Sequence, residues 1–116
     1  MLTLFTMPKG FQGHLDIIQR NAIQSWLRLR PQCEIILLGN DPGTAEVARE
    51  YNLVHIPHIQ QNEFGTPLVN DIFRKGEEAA SHPFVCYINT DIILLQNFMA
   101  VMTHFAPFDR RFLLIG

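Results

Sequence analysis

Short apolar runs alternate with stretches of helical periodicity along the whole chain, and that alternation restricts the fold more than any other feature. Leu2–Thr6, Glu34–Leu38, residues 53–56, Phe84–Ile88 and Phe112–Ile115 are four or five residues long, rich in β-branched, aromatic and leucine side chains, and of strand length. The second run is continuously apolar after Glu34 and the fourth is nearly so, as in strands covered on both faces. Between the first two runs, Leu15, Ile18, Ala22, Trp26 and Leu29 recur at helical spacing with polar Gln19, Arg20 and Gln24 between them. Arg28 and Arg30 fall in the expected last turn before Pro31, which suits a helix C-terminus.

The remaining segments continue the pattern. Ala45, Glu46, Val47 and Ala48 favour a short helix over residues 44–51, with Asp41 or Gly43 available to cap it. Pro57 stops the third run, and a polar loop over 58–65 leads to Thr66-Pro67, the pattern of an N-cap followed by proline at the first helical position. Val69, Ile72, Phe73, Gly76 and Ala80 then share one face of the helix predicted to start there. Residues 92–94 read as a brief extended piece, and Leu95, Phe98, Met99, Met102 and Phe105 mark a last amphipathic helix. The order β-α-β-α-β-α-β-α-β predicts an α/β domain built on a mostly parallel sheet with helices on its faces. The chain stops at Gly116 directly after a strand, which reads as a truncation or as half of a larger domain.

Composition narrows what such a domain does. At 116 residues and 47% hydrophobic content, one domain with a sizeable core is expected. A charged fraction of 17% and a net charge of -2 leave no basic footprint for nucleic acid. No apolar run approaches the roughly 20 residues that span a bilayer, and the first residues lack the basic leader of a secretory signal. The expected setting is the cytoplasm, with peripheral membrane association open through a partner. Cys33 and Cys86 form no CxxC pair, and Cys86 lies in an apolar run, so both are expected to be reduced structural thiols. His14, His55, His58, His82 and His104 are scattered and read as structural or surface residues. The chain has no G-x-S-x-G elbow, P-loop or G-x-G-x-x-G fingerprint, which argues against the hydrolase, NTPase and dehydrogenase classes that rely on them.

In an open parallel sheet, ligands bind beyond the carboxyl ends of the strands. The polar residues expected there are Thr6 to Lys9, Asn40-Asp41, the loop over 62–66 and Asn89-Thr90-Asp91. Asn89 and Asp91 are two apart at a strand end, so extended backbone turns both side chains the same way. A carboxylate so placed can bind a hard divalent cation that keeps several waters and takes further oxygens from a diphosphate, and the amide can meet a sugar hydroxyl. Asn-Thr-Asp is also a common turn composition. Its setting favours a site, because it divides two apolar runs where a surface turn more often has polar flanks. Asp41 serves equally as a helix cap, Lys9 as a solvated loop lysine and Gly65 as a tight-turn residue. Asp71 suits the dipole at its helix start better than a site.

The opening strand with Thr6, the Asp41 after the second strand, the Asn62-Glu-Phe-Gly-Thr66 loop and the segment Cys86-Tyr-Ile-Asn-Thr-Asp-Ile-Ile-Leu94 together resemble the nucleotide-binding half of a GT-A glycosyltransferase of the family-2 type. In that family an acidic DxD motif ends the fourth strand of a Rossmann-like sheet. The likeness covers almost the whole chain but only the first half of such an enzyme. It implies a nucleoside-diphosphate sugar as donor, Mn²⁺ or Mg²⁺ at Asp91, ribose contact at Asn89, and a nucleotide pocket drawing on Thr6, Lys9, Asp41 and Gly65. Asn89 stands where the family has its first acid, which weakens the cation site. The competing expectations are a non-catalytic nucleotide-binding remnant and a nucleotidyltransferase-like domain.

Overall fold

A computed structural model describes residues 2–82, 84–105 and 112–115, with side chains through Met102. The elements are β1 (Leu2–Thr6), α1 (Gly13–Leu27), β2 (Glu34–Leu38), α2 (Thr44–Glu50), β3 (Val54–Ile56), α3 (Val69–Ala79), β4 (Phe84–Ile88), α4 (Asn97–Phe105) and β5 (Phe112–Ile115). The strands form one sheet in the order β3-β2-β1-β4-β5, with every pairing parallel. The fold is therefore α/β and Rossmann-like, as the alternation predicts. The expected contributions of His104, Phe105 and Gly116 lie outside the described side chains.

Alternation along each strand divides the core in two. Leu2, Leu4, Ile35, Leu37, Cys86 and Ile88 face α1, α2 and α4, where they meet Ala22, Ile23, Trp26, Val47, Ala48, Met99 and Met102. Phe5, Ile36, Leu38 and Val85 face α3 through Ile72, with Phe73 and Tyr87 packed against them. Phe5, Phe73 and Tyr87 form an aromatic trio with centroids 5.4–5.7 Å apart, in the edge-on and tilted arrangements ring quadrupoles favour. Gly76 is on the buried face of α3, where its missing Cβ admits the Phe5 ring: a Cβ there would lie 2.6 Å from Phe5 Cε2. Both cysteines are buried and free, and burial pushes the Cys86 thiol up to about 12.

The structure differs from the sequence pattern at several element ends. Helix α1 stops at Leu27, so Arg28 is its C-cap and Arg30 lies beyond it, its guanidinium donating to the Leu27 and Leu29 carbonyls. Residues 92–95 are not a strand, and α4 starts at Asn97, leaving Leu95 67% exposed. Helix α3 begins at Val69 rather than at Pro67, and Val69 is exposed. The cause is a competing local structure. Gln61 and Pro67 form an antiparallel bridge, and the Leu68 amide donates to the Gln60 carbonyl, which keeps Thr66-Pro67 out of the helix.

Asp71 locks this arrangement. Its buried carboxylate accepts from the Gln60 amide at 2.7 Å, from Arg74 at 2.6 Å and from Lys75 at 3.2 Å, and Lys75 also donates to the His58 carbonyl. The Gln60 amide first, then Arg74 and Lys75, holds the carboxyl down at about 2, against the upward pull of its burial. A depressed carboxyl stabilises the fold above its unfolded pKa, and that contribution is lost as pH falls through the folded value. The urea-midpoint gap between wild type and Asp71→Asn is expected to be constant at neutral pH and to shrink between about pH 4 and about pH 2. A gap that persists unchanged at the acid end would remove Asp71 as its source.

Candidate functional site

From β1 the chain moves to β2 and β3 on one side, and from β4 it moves to β5 on the other. Strand order reverses between β1 and β4, and the loops leaving their carboxyl ends part to open a crevice. A cleft of about 230 Å³ lies there, lined by Met7 and Lys9 after β1, Gln19 of α1, Tyr87 at the end of β4, and Asn89 and Asp91 beyond it. Lys9, Asn89 and Asp91 are exposed, whereas Thr90 between the last two is 5% exposed. Burial alternates over the triplet, with Thr90 inward and its neighbours exposed, but the extended backbone expected there is not present. β4 ends at Ile88, and Thr90 and Asp91 form a turn, the alternative that the Asn-Thr-Asp composition also offers.

Hydrogen bonds from three directions fix the triplet. The Thr90 hydroxyl meets that of Thr6 at 2.6 Å in the interior, tying the turn to the end of β1. The Ile92 amide closes onto the Asn89 carbonyl at 3.2 Å. From α1, the Trp26 indole donates to the Ile92 carbonyl at 2.8 Å and the Ser25 hydroxyl accepts from the Leu94 amide at 3.0 Å. Buried and mutually satisfied polar groups of this kind hold a local conformation firmly, so Asn89 and Asp91 are displayed from a rigid base.

The opposite rim has its own fixture. Gln19 is 3% exposed and grips the main chain of Lys9 in both senses: the Lys9 amide donates to Oε1 at 2.8 Å, and Nε2 donates to the Lys9 carbonyl at 2.9 Å. Lys9 lines the cleft, and its ammonium has no ion pair among the described residues. Tyr87 closes the wall toward α3, and burial pushes its phenol up, so it is a neutral hydroxyl at physiological pH. Among its described lining residues the cleft therefore offers one cation, one carboxylate, one phenol and, with Gln19 committed to the Lys9 main chain, one remaining side-chain amide.

The other expected site residues stand elsewhere. Thr6 is fully buried, beneath the cleft rather than in it, and supports Thr90. Asp41 is exposed after β2, where its carbonyl accepts the Thr44 amide; Gly43 is the N-cap of α2, with no side-chain cap bond. Gly65 has φ of +80° and open space where a Cβ would be, with Gln61 Oε1 at 4.0 Å, and its amide donates to the Asn62 carbonyl. It is a turn glycine, needed for its backbone conformation. Neither Asp41 nor Gly65 lines the cleft. His55 has its Nε2 2.7 Å from the Gly39 carbonyl, a structural role.

Leu15, Gln19 and Tyr87 are the cleft residues that sequence patterning passes over. Gln19 had a faint signal: Leu15, Gln19, Ala22 and Trp26 follow 4-3-4 spacing, so it occupies a core-stripe position. Tyr87 looked like any residue of an apolar strand.

As a metal site the cleft is sparse. Among the described residues Asp91 is the single carboxylate lining it, and no group of three His, Cys, Asp or Glu side chains comes together there to hold an ion. One carboxylate and one amide suit only a hydrated cation that arrives with its own phosphate ligands. No protein-family model and no curated protein matches the sequence. The fold and the cleft define the class: a Rossmann-like α/β domain with a polar cleft where its strand order reverses.

Proposed function

We propose that this cleft binds a nucleoside-diphosphate sugar and supplies the donor side of a glycosyl transfer. The observation that carries the reading is the convergence of Lys9, Asn89 and Asp91 on one rigidly built cleft at the reversal between β1 and β4. At about 230 Å³ the cleft is smaller than the roughly 300–1,000 Å³ of sites that enclose a drug-sized ligand. It matches the diphosphate, with the rest of the donor extending over the rim. Lys9 compensates phosphate charge, Asn89 donates to a sugar hydroxyl, and Asp91 gives one oxygen to Mn²⁺ or Mg²⁺ carried by the diphosphate. That cation, when bound, neutralises charge developing on the departing diphosphate. Such donors and the expected cytoplasmic setting agree.

A second reading is binding without transfer. It is favoured by the absence, among the described residues lining the cleft, of a histidine or second carboxylate that could activate an acceptor.

Calorimetric titration with UDP-, GDP- and dTDP-sugars, with and without Mn²⁺, tests the donor binding on which both readings rest. One donor is expected to bind, Lys9→Ala to weaken it about tenfold through loss of a charge-assisted contact, and Asp91→Ala to abolish the Mn²⁺ enhancement. A folded sample that binds none of them removes the donor-site reading. Intact metal response in Asp91→Ala removes the ligand assignment alone.

A further inference from the structure

Residues 92–102 read Ile-Ile-Leu-Leu-Gln-Asn-Phe-Met-Ala-Val-Met and carry no charge. Leu94, Met99 and Met102 are spent on the core beside α1. Ile93, Leu95 and Val101 remain 58%, 67% and 52% exposed, three large aliphatic side chains that the fold leaves in water. Ile93 and Leu95 line a shallow groove of about 200 Å³ together with Arg28, Leu29 and Gln96. The adjoining part of the chain is one-signed: residues 17–33 hold three arginines and no acid. Arg20 is neutralised by Asp16 and Glu50. Arg28 is exposed and has no ion pair among the described residues. Arg30 donates to the neutral carbonyls of Leu27 and Leu29 and has no ion pair among the described residues either. Gln96 fastens the two segments, accepting from the Arg30 amide at 3.0 Å and donating to the Arg30 carbonyl at 2.5 Å.

We propose that this face docks on the surface of an anionic lipid bilayer. Ile93 and Leu95 enter the acyl boundary while Arg28 and Arg30 reach the headgroups, the division of labour of an interfacial segment. Charge decides between this and pairing with a second copy of the chain. A two-fold contact through the face would set Arg28 and Arg30 against their own equivalents with no acid from either segment to offset them. An anionic surface satisfies both the aliphatic and the cationic groups. Since Ile92 and Ile93 directly follow Asp91, docking would bring one rim of the cleft to the membrane, yet the proposal stands apart from what the cleft binds.

Co-sedimentation of the full chain with vesicles of phosphatidylcholine, and of phosphatidylcholine and phosphatidylglycerol in equal parts, tests it. Binding is expected to the mixed vesicles, to weaken with added salt, and to fall about fivefold in Arg28→Gln. The Ile93→Asp/Leu95→Asp variant, whose substitutions sit on the surface, should keep the wild-type melting transition and lose the pellet. A chain that stays in the supernatant with anionic vesicles overturns the proposal, as does a double variant that pellets like wild type. A concentration-dependent dimer abolished by Ile93→Asp overturns it in favour of self-association.

Discussion

Trp26→Ala lowers the free energy of unfolding by about 3–5 kcal/mol, a large share of the roughly 5–15 kcal/mol typical of a domain. The side chain is fully buried between α1 and the sheet, so truncation leaves a cavity in the larger half of the core. It also removes the donor to the Ile92 carbonyl, next to the Asn89-Thr90-Asp91 turn. Trp26→Phe separates these effects: it keeps most of the volume and costs about 1–3 kcal/mol for the abandoned carbonyl. Urea titrations followed by far-UV circular dichroism measure both, since Trp26 is the sole tryptophan and fluorescence is lost with it. Losses below about 1 kcal/mol for the alanine variant would mean that the indole is not a core anchor.

Gly76→Ala is the second large effect, and its sign runs against helix propensity. Alanine gains about 1 kcal/mol over glycine inside a helix, yet the new methyl would stand 2.6 Å from Phe5 Cε2. Phe5 cannot retreat, because it is fully buried and flanked by Phe73 and Tyr87. Overpacking of that kind costs about 1–3 kcal/mol and outweighs the helix gain. In a Phe5→Leu background the penalty of Gly76→Ala is expected to fall, and a double-mutant cycle reads the coupling. A Gly76→Ala protein more stable than wild type would show that α3 shifts away from the sheet without cost.

How far the sequence carried the fold can be judged element by element. β1, β2 and β4 are legible to the residue because they are buried on both sides and read as plain apolar runs, and β5 is legible from its apolar run alone. The start of α3 was not, since Thr66-Pro67 satisfies a helix-start rule that the Gln61–Pro67 bridge and the Asp71 network override through contacts distant in sequence. On α1, Leu15 and Ile18 were expected on the buried side, but they are 41% and 40% exposed. Leu15 opens on the cleft instead, and the buried position at that end of the helix goes to Gln19, held by the Lys9 main chain. The position of the Asn89-to-Asp91 motif was legible, because a polar break between apolar runs marks a strand end in this topology. The company it keeps was less so. Lys9 joins it across the strand reversal, whereas Asp41 and Gly65 follow β2 and β3, and which strands become neighbours depends on sheet order that local pattern does not encode.

The grip of Gln19 separates the path of the chain from the identity of its side chain. Both bonds go to main-chain atoms of residue 9, which every residue but proline presents alike. The rim would therefore follow the same course with arginine, serine or glutamate at that position. Charge facing the crevice is an interchangeable property in this scaffold: a single substitution can change which ligand is attracted without redrawing the loop that meets it.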